Sequence, residues 1–168
     1  RKTAIEVAVG SIAQQVLSAF DITGTSCVKR IGTVEFTGNN EEFEENIKKE
    51  IDSAKEEGTT LGGEVEVTYN NLPIGLGSFV SFDRAIDGLI AQAVMSIPAI
   101  KSVEFGLGKD VAKLKGKNVH DPFYIENGEI KRTSNNAGGV EGGMTNGEPL
   151  IVRASMKPIP TMRTPLPT

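Results

Sequence analysis

Two short stretches bring together residue types that can hold an anionic or flat polar ligand. The first is Ser134-Asn135-Asn136-Ala137-Gly138-Gly139-Val140-Glu141-Gly142-Gly143-Met144-Thr145-Asn146-Gly147. It offers many backbone N–H groups, little side-chain bulk and three asparagine amides, a composition that can cradle a phosphate or the polar edge of a ring. The same composition suits a plain connector, and the run matches neither the dinucleotide fingerprint nor the phosphate-loop pattern. The second stretch is Lys157-Pro158-Ile159-Pro160-Thr161. Alternate prolines fix φ, which makes the segment stiff and extended and leaves backbone donors after Lys157 only at Ile159 and Thr161. Lys157 can place an ammonium beside a phosphate, Thr161 can add a hydroxyl, and Arg153 lies further back on the same strand face. The alternative is a strand leaving its sheet through a proline-rich turn.

Other reactive residue types carry less. His120 is the only histidine and Asp121 follows it. Such a pair can polarise a base, but no nucleophile pattern lies near it, so His120 reads as a surface-loop residue. Cys27 reads as a small apolar filler in a strand. Asp83 and Asp87 read as a helix cap and a solvated face rather than an acid/base pair.

The 168 residues suffice for one domain with a core, and one domain over 1–168 is the simplest organisation because no repeat or linker interrupts the chain. Eighteen basic and 22 acidic residues give a net charge of −4 with no basic run, which excludes a nucleic-acid footprint. An anionic ligand therefore needs local positive charge. A single cysteine rules out an internal disulfide and fits a reducing, cytoplasmic compartment, and no Cys/His spacing suits a metal. No apolar run approaches the ~20 residues of a membrane span. Arg1 opens inside a helical pattern with no cap before it, so the chain is expected to be the central part of a longer protein.

The elements that must position these stretches follow from periodicity. Ile5, Val9, Ile12, Val16 and Phe20 recur at helical spacing from Lys2 to Phe20, and alanines fill much of the rest, so this helix is expected to lie sandwiched between other elements. Residues 26–36 read as one or two strands broken at Gly32. A charged helix over 41–57 carries a narrow stripe of Phe43, Ile47, Ile51 and Ala54, with Asn39 as its cap, Gly58 as its stop and the charge run as a solvated face. Residues 64–69 alternate as a half-buried strand, and 70–77 form a turn region. A third helix is expected over 83–97, started by Ser81 or Asp83 and stopped by Pro98. Residues 100–105 read as a strand. Asn127-Gly128 predicts a type I′ hairpin that pairs Glu126 with Glu129, Ile125 with Ile130 and Tyr124 with Lys131, the two glutamates splaying into solvent. The last strand spans 149–157, with Leu150, Val152, Ala154 and Met156 on one face.

Several of these segments together resemble the chorismate synthase family. Arg1-Lys2-Thr3-Ala4 is similar to the end of that family's Arg-Ser-Ser-Ala-Arg-x-Thr-Ala stretch. Further similar blocks are Pro73-Ile74-Gly75-Leu76-Gly77 with Phe82-Asp83-Arg84, and the run from Met95 through Pro98-Ala99 to Gly106. The most specific are Ser134 to Gly143 with Thr145-Asn146-Gly147-Glu148-Pro149, followed by Lys157-Pro158-Ile159-Pro160-Thr161. The resemblance covers nearly the whole chain.

It implies an α+β fold with helices layered between antiparallel sheets, and a cytoplasmic homotetramer without nucleic-acid or membrane partners. It implies the anti-1,4 elimination of phosphate from 5-enolpyruvylshikimate-3-phosphate to give chorismate, with reduced FMN. Lys157, Pro158, Ile159, Pro160 and Thr161 would line FMN, with Gly142 and the backbone of Pro98 and Ala99 beside them, and Arg1 would meet the substrate's anionic groups. Many relatives carry asparagine where Pro98 stands, so only a backbone role carries over there. The stretch around Thr37 to Asn40 lacks an insertion common in the family. The family's Ser-His-Gly motif, its catalytic histidines and its Arg-x-Asp-Pro region have no counterpart in this chain, and His120 aligns with neither histidine, so no catalytic residue and no metal ligand is assigned. Arg1, Lys157 and Arg153 carry too few charges to neutralise FMN and substrate, so the 168-residue polypeptide alone is expected to bind FMN weakly or not at all and not to turn over. Two other readings stand beside the lyase: a structural or self-assembly module, and a flavin oxidoreductase, against which the missing dinucleotide fingerprint counts.

Overall fold

The computed structural model describes residues 2–164. Three stretches of helix punctuate a sheet-forming chain: α1 (Lys2–Ser18), α2 (Asn40–Glu57) and α3 (Ile86–Met95), with a one-turn α4 at Gly116–Val119. The strands are β1 (Thr23–Ile31), β2 (Val34–Glu35), β3 (Gly63–Asn70), β4 (Ile100–Phe105), β5 (Phe123–Glu126), β6 (Glu129–Arg132), β7 (Val140–Glu141), β8 (Met144–Thr145) and β9 (Leu150–Met156). One five-stranded sheet has the order β2-β1-β3-β9-β4, and β5-β6 and β7-β8 form two antiparallel hairpins. The architecture is α+β. No described helix is long and apolar enough to cross a membrane.

The chain divides into two compact units. One holds the residues up to Thr25 with Val67–Leu89 and Phe105–Val152. The other holds Ser26–Glu66, Ile90–Glu104 and the residues from Arg153 on.

In the second unit α2 follows its local signals closely. Asn39 is extended, and its Oδ1 accepts from the N–H groups of Glu41 and Glu42 at 3.1 and 3.3 Å. These two donors have no partner inside the helix. Gly58 closes the other end at φ +72, a conformation glycine adopts without steric cost. Ala54 on the apolar stripe is buried, and Phe43 meets Phe36 edge-on with ring centres 5.2 Å apart. The charged face is not all solvent: Glu50 Oε1 accepts from the N–H and hydroxyl of Thr33 at 2.9 and 3.1 Å, holding the Gly32 turn between β1 and β2.

In the first unit the Asn127-Gly128 turn has both residues at positive φ, and the register is Glu126↔Glu129, Ile125↔Ile130 and Tyr124↔Lys131. Glu126 and Glu129 are both exposed, and Glu126 bonds Lys131 at 2.6 Å. Three expectations change. The third helix begins at Ile86 rather than at 83, because Ser81 and Asp83 bond each other and Arg84 N–H donates to Ser81 in a separate turn. Helix α1 carries no buried residue: Ile5 is 66% and Phe20, just beyond it, 72% exposed, so the described residues do not sandwich it. In the other unit Cys27 is exposed on β1 rather than a buried filler.

Candidate functional site

The proline segment belongs to the second unit and is held by its backbone. Lys157 N–H donates to the Ala99 carbonyl at 2.9 Å, which brings the Pro98-Ala99 pair and the end of β9 together. Ala99 makes this possible by adopting φ +73 directly after Pro98. A non-glycine residue there costs roughly 1–2 kcal/mol, so the bond to Lys157 is part of what offsets the strain. Further on, the Thr60 hydroxyl donates to the Ile159 carbonyl at 2.6 Å. Arg163 and Thr164 N–H both donate to the Gly58 carbonyl, at 3.0 and 3.2 Å. Gly62 is needed under this segment: a Cβ there would stand 2.6 Å from the Met156 carbonyl oxygen and 3.1 Å from Pro158 Cδ.

With the backbone so fixed, the residues from Lys157 to Thr161 are all exposed. No ion pair or side-chain hydrogen bond engages the Lys157 ammonium among the described residues. The N–H groups of Ile159 and Thr161 and the Thr161 hydroxyl donate to no described partner either, so a cation and three donors stand along one stiff rim. That set suits an anionic, planar, hydrogen-bonding ligand.

Arg153 does not join it. Its Nε lies 3.8 Å from Glu66 and its Nη2 3.9 Å from Glu104, and Lys29 also lies 3.8 Å from Glu66. Lys29, Glu66, Arg153 and Glu104 thus form a row of alternating sign along β1, β3, β9 and β4, a cross-strand arrangement that stabilises a sheet. The arginine read from sequence as a reserve charge is committed to this row. Ser155 similarly donates to Glu64 at 3.3 Å.

Gly142 lies in the first unit, inside the glycine-rich stretch. It and Gly143 have φ +58 and +77 and link β7 to β8, the geometry of a two-residue hairpin turn. The rest of the stretch is packed rather than a loose connector. A Cβ at Gly138 would collide with the backbone of Gly106, one at Gly139 would meet the Pro149 carbonyl at 2.6 Å, and one at Gly143 the Ser78 carbonyl at 2.8 Å. At Gly142 nothing lies within 4 Å of that position. Its φ alone accounts for a glycine. The open space above it is the separate observation, and it leaves room for a ligand to approach the backbone.

The turn is braced from both sides. Thr145 is 2% exposed; its hydroxyl donates to the Pro73 carbonyl at 2.6 Å and accepts from Leu76 N–H at 2.9 Å. The Gly143 carbonyl accepts from Ile86 N–H at 2.9 Å and so satisfies the first donor of α3. Arg132 pairs with Glu141, which also accepts from Asn146 Nδ2 at 2.9 Å.

Sequence reasoning weighed Asp121 only as the neighbour of His120 and missed its role in the loop. It is buried, and its carboxylate accepts from Ser134 Oγ at 2.5 Å, Asn136 N–H at 2.8 Å and Ala137 N–H at 2.9 Å. Burial pushes this carboxyl up, but the bonds from Ser134, Ala137 and Asn136 and the charge of Arg132 outweigh it and hold it below its ordinary range. His120 is exposed at the end of α4, and the Asp121 carboxylate turns to the 134–137 loop, so the adjacent pair does not polarise a base. The signal available in sequence was Asp121 followed thirteen residues later by Ser-Asn-Asn, polar residues too numerous for a simple connector. Arg1 lies outside the described residues.

A family model described as chorismate synthase matches residues 1–168. The chorismate synthase of Caldanaerobacter subterraneus subsp. tengcongensis is 48% identical over 167 residues, covering 99% of this chain and 46% of that protein. The chorismate synthase of Geobacter sulfurreducens is 45% identical over 193 residues, covering 99% and 49%. A crystal structure of a chorismate synthase superposes with a TM-score of 0.88 at 44% identity, covering 94% of this chain and 55% of the solved one. The chain therefore spans about half the length of the curated relatives it matches. With its α+β architecture and a family match over its whole length, the chain belongs to the chorismate synthase family.

Proposed function

We propose that this chain forms one functional domain, residues 1–168, of a cytoplasmic, homotetrameric lyase. The reaction is the anti-1,4 elimination of phosphate from 5-enolpyruvylshikimate-3-phosphate, giving chorismate. Bound reduced FMN would lend electron density transiently, with no net redox change. The observation that carries the reading is the Ala99–Lys157 clamp, which seats an exposed cation and a stiff rim of donors, residues that the family resemblance implies would line flavin. Lys157 supplies the charge that holds an anionic cofactor, and Ile159 and Thr161 supply hydrogen bonds. Pro158 and Pro160 keep the rim extended, and Pro98 and Ala99 contribute backbone. Gly142 is assigned to cofactor binding through its open backbone. Arg1 is assigned to the substrate's anionic groups.

Release of inorganic phosphate tests this, measured anaerobically with reduced FMN and substrate on the protein at its natural length. Turnover is expected only with reduced flavin; turnover independent of flavin, or none with it, contradicts the reading. A more specific probe is Gly142→Asn. Asparagine tolerates positive φ, so this variant adds bulk with little backbone strain and should bind FMN at least tenfold more weakly; unchanged binding removes Gly142 from the site.

A second reading, assembly without catalysis, is favoured by one observation: Ile5, Val9, Ile12, Val16 and Phe20 are all more than half exposed. Light scattering with and without FMN separates the two. Association indifferent to FMN in a protein without turnover supports assembly alone.

A further inference from the structure

The mechanism just proposed makes no use of Asp121, the one buried carboxylate among the described residues. Asp121 is 7% exposed, yet it touches none of the assigned cofactor residues. Its partners are instead the first residues of the glycine-rich stretch. Oδ1 takes the Ser134 hydroxyl and Asn136 N–H, and Oδ2 takes Ala137 N–H. From there the ordering passes along the stretch. Asn136 Nδ2 donates to the Val119 carbonyl at 3.0 Å. Asn135 accepts from Gly139 N–H at 2.9 Å and donates to the Pro149 carbonyl at 2.7 Å. Gly139 in turn accepts from Asn146 N–H, the residue just after β8, at 3.0 Å. Arg132 closes the circuit, donating to the Asp121 backbone carbonyl at 3.4 Å and pairing with Glu141 beside Gly142. Every residue in this chain of bonds belongs to the first unit.

We propose that Asp121 is a positioning residue for the cofactor: its carboxylate fixes residues 134–139, and through them the Glu141–Met144 turn whose open Gly142 backbone meets the flavin. The proposal rests on the FMN reading above. A carboxylate suits the task because it accepts at both oxygens and donates nothing, while all three partners are donors. An asparagine there must set its NH2 against at least one N–H or O–H whichever way it is turned. The carboxylate does not take part in the reaction; it sets where the turn stands.

The test is a set of FMN titrations by fluorescence quenching on the protein at natural length, at a temperature where circular dichroism shows every variant folded. Asp121→Asn should weaken FMN binding about tenfold, and Ser134→Ala, which removes one of the three donors and keeps the fold if Asp121→Asn does not, about threefold. The decisive step is coupling. In a Gly142→Asn background either change should cost less than about twofold, because the turn no longer meets the ligand. In a Lys157→Ala background it should keep its full effect. An equal loss in all backgrounds, or no loss in Asp121→Asn and Ser134→Ala, overturns the positioning role while FMN binding by the parent protein leaves the cofactor reading intact. Absence of saturable quenching by the parent overturns the cofactor reading itself, and the proposal with it.

Discussion

The glycine-rich stretch and the proline segment reach rigidity by opposite means. Residues 134–147 have little covalent stiffness, and their order comes from a network that begins at the buried Asp121 and runs through Asn135, Gly139 and Thr145. Residues 157–161 are stiff because two prolines fix their backbone, and two hydrogen bonds, to Ala99 and from Thr60, suffice to seat them. A network fails when one member is removed, whereas a covalently restrained segment tolerates loss of its side chains. The same difference shows in the glycines: those at 138, 139 and 143 are there because backbone passes close by, and Gly142 faces open space.

The largest effect should come from breaking the network. Asp121→Ala leaves three half-buried donors without their acceptor and should destabilise the protein by about 3 kcal/mol, since hydrogen bonds to a charged group contribute roughly 1.5–3 kcal/mol each and partly overlap. Urea unfolding measures this, and a change below about 0.5 kcal/mol would show that the network is not what orders the stretch. The same carboxylate gives a pH dependence. Its folded-state pKa lies below the ordinary value near 3.9, so the unfolded chain takes up the proton more readily. The stabilisation is complete above roughly pH 5 and is lost as pH falls through the folded-state value. Asp121→Asn should remove this part of the acid sensitivity; an unchanged acid limb contradicts the assignment.

The proline segment should respond differently. Lys157→Ala should weaken FMN binding about tenfold, equivalent to about 1.4 kcal/mol, and leave stability within about 0.5 kcal/mol, as for most exposed substitutions. Equal affinity, or a large loss of stability, would erase the contrast between the regions. Thr60→Val should cost least, about 1 kcal/mol for one hydroxyl-to-carbonyl bond. Thermal unfolding reads that change, and a loss as large as that of Asp121→Ala would mean that the segment too depends on its hydrogen bonds.

These regions also differ in how well they could be read in advance. Local chemistry was legible: Asn39 and Gly58 bound α2, and Asn127-Gly128 sets the β5-β6 register, because caps and tight turns are decided within a few residues. Nonlocal chemistry was not. Arg153 looked available for an anion until the strand order placed Glu66 and Glu104 on either side of it. Asp121 looked like half of a His-Asp pair until the loop thirteen residues later folded onto its carboxylate. The start of α3 shifted because the acceptor for Ile86 N–H is Gly143, far along the chain. The open apolar surface of α1 is likewise invisible to periodicity, which marks an apolar face without saying what covers it.

The central claim is that each of two differently built rims takes part in binding flavin. Hydrogen–deuterium exchange with and without FMN tests it directly, on the protein at its natural length. Amides of Gly142 and Gly143 should gain protection on FMN binding, and so should those of Ile159 and Thr161, while the 123–132 hairpin stays unchanged. Protection confined to one of the two segments, or absent from both under saturating FMN, would contradict the account.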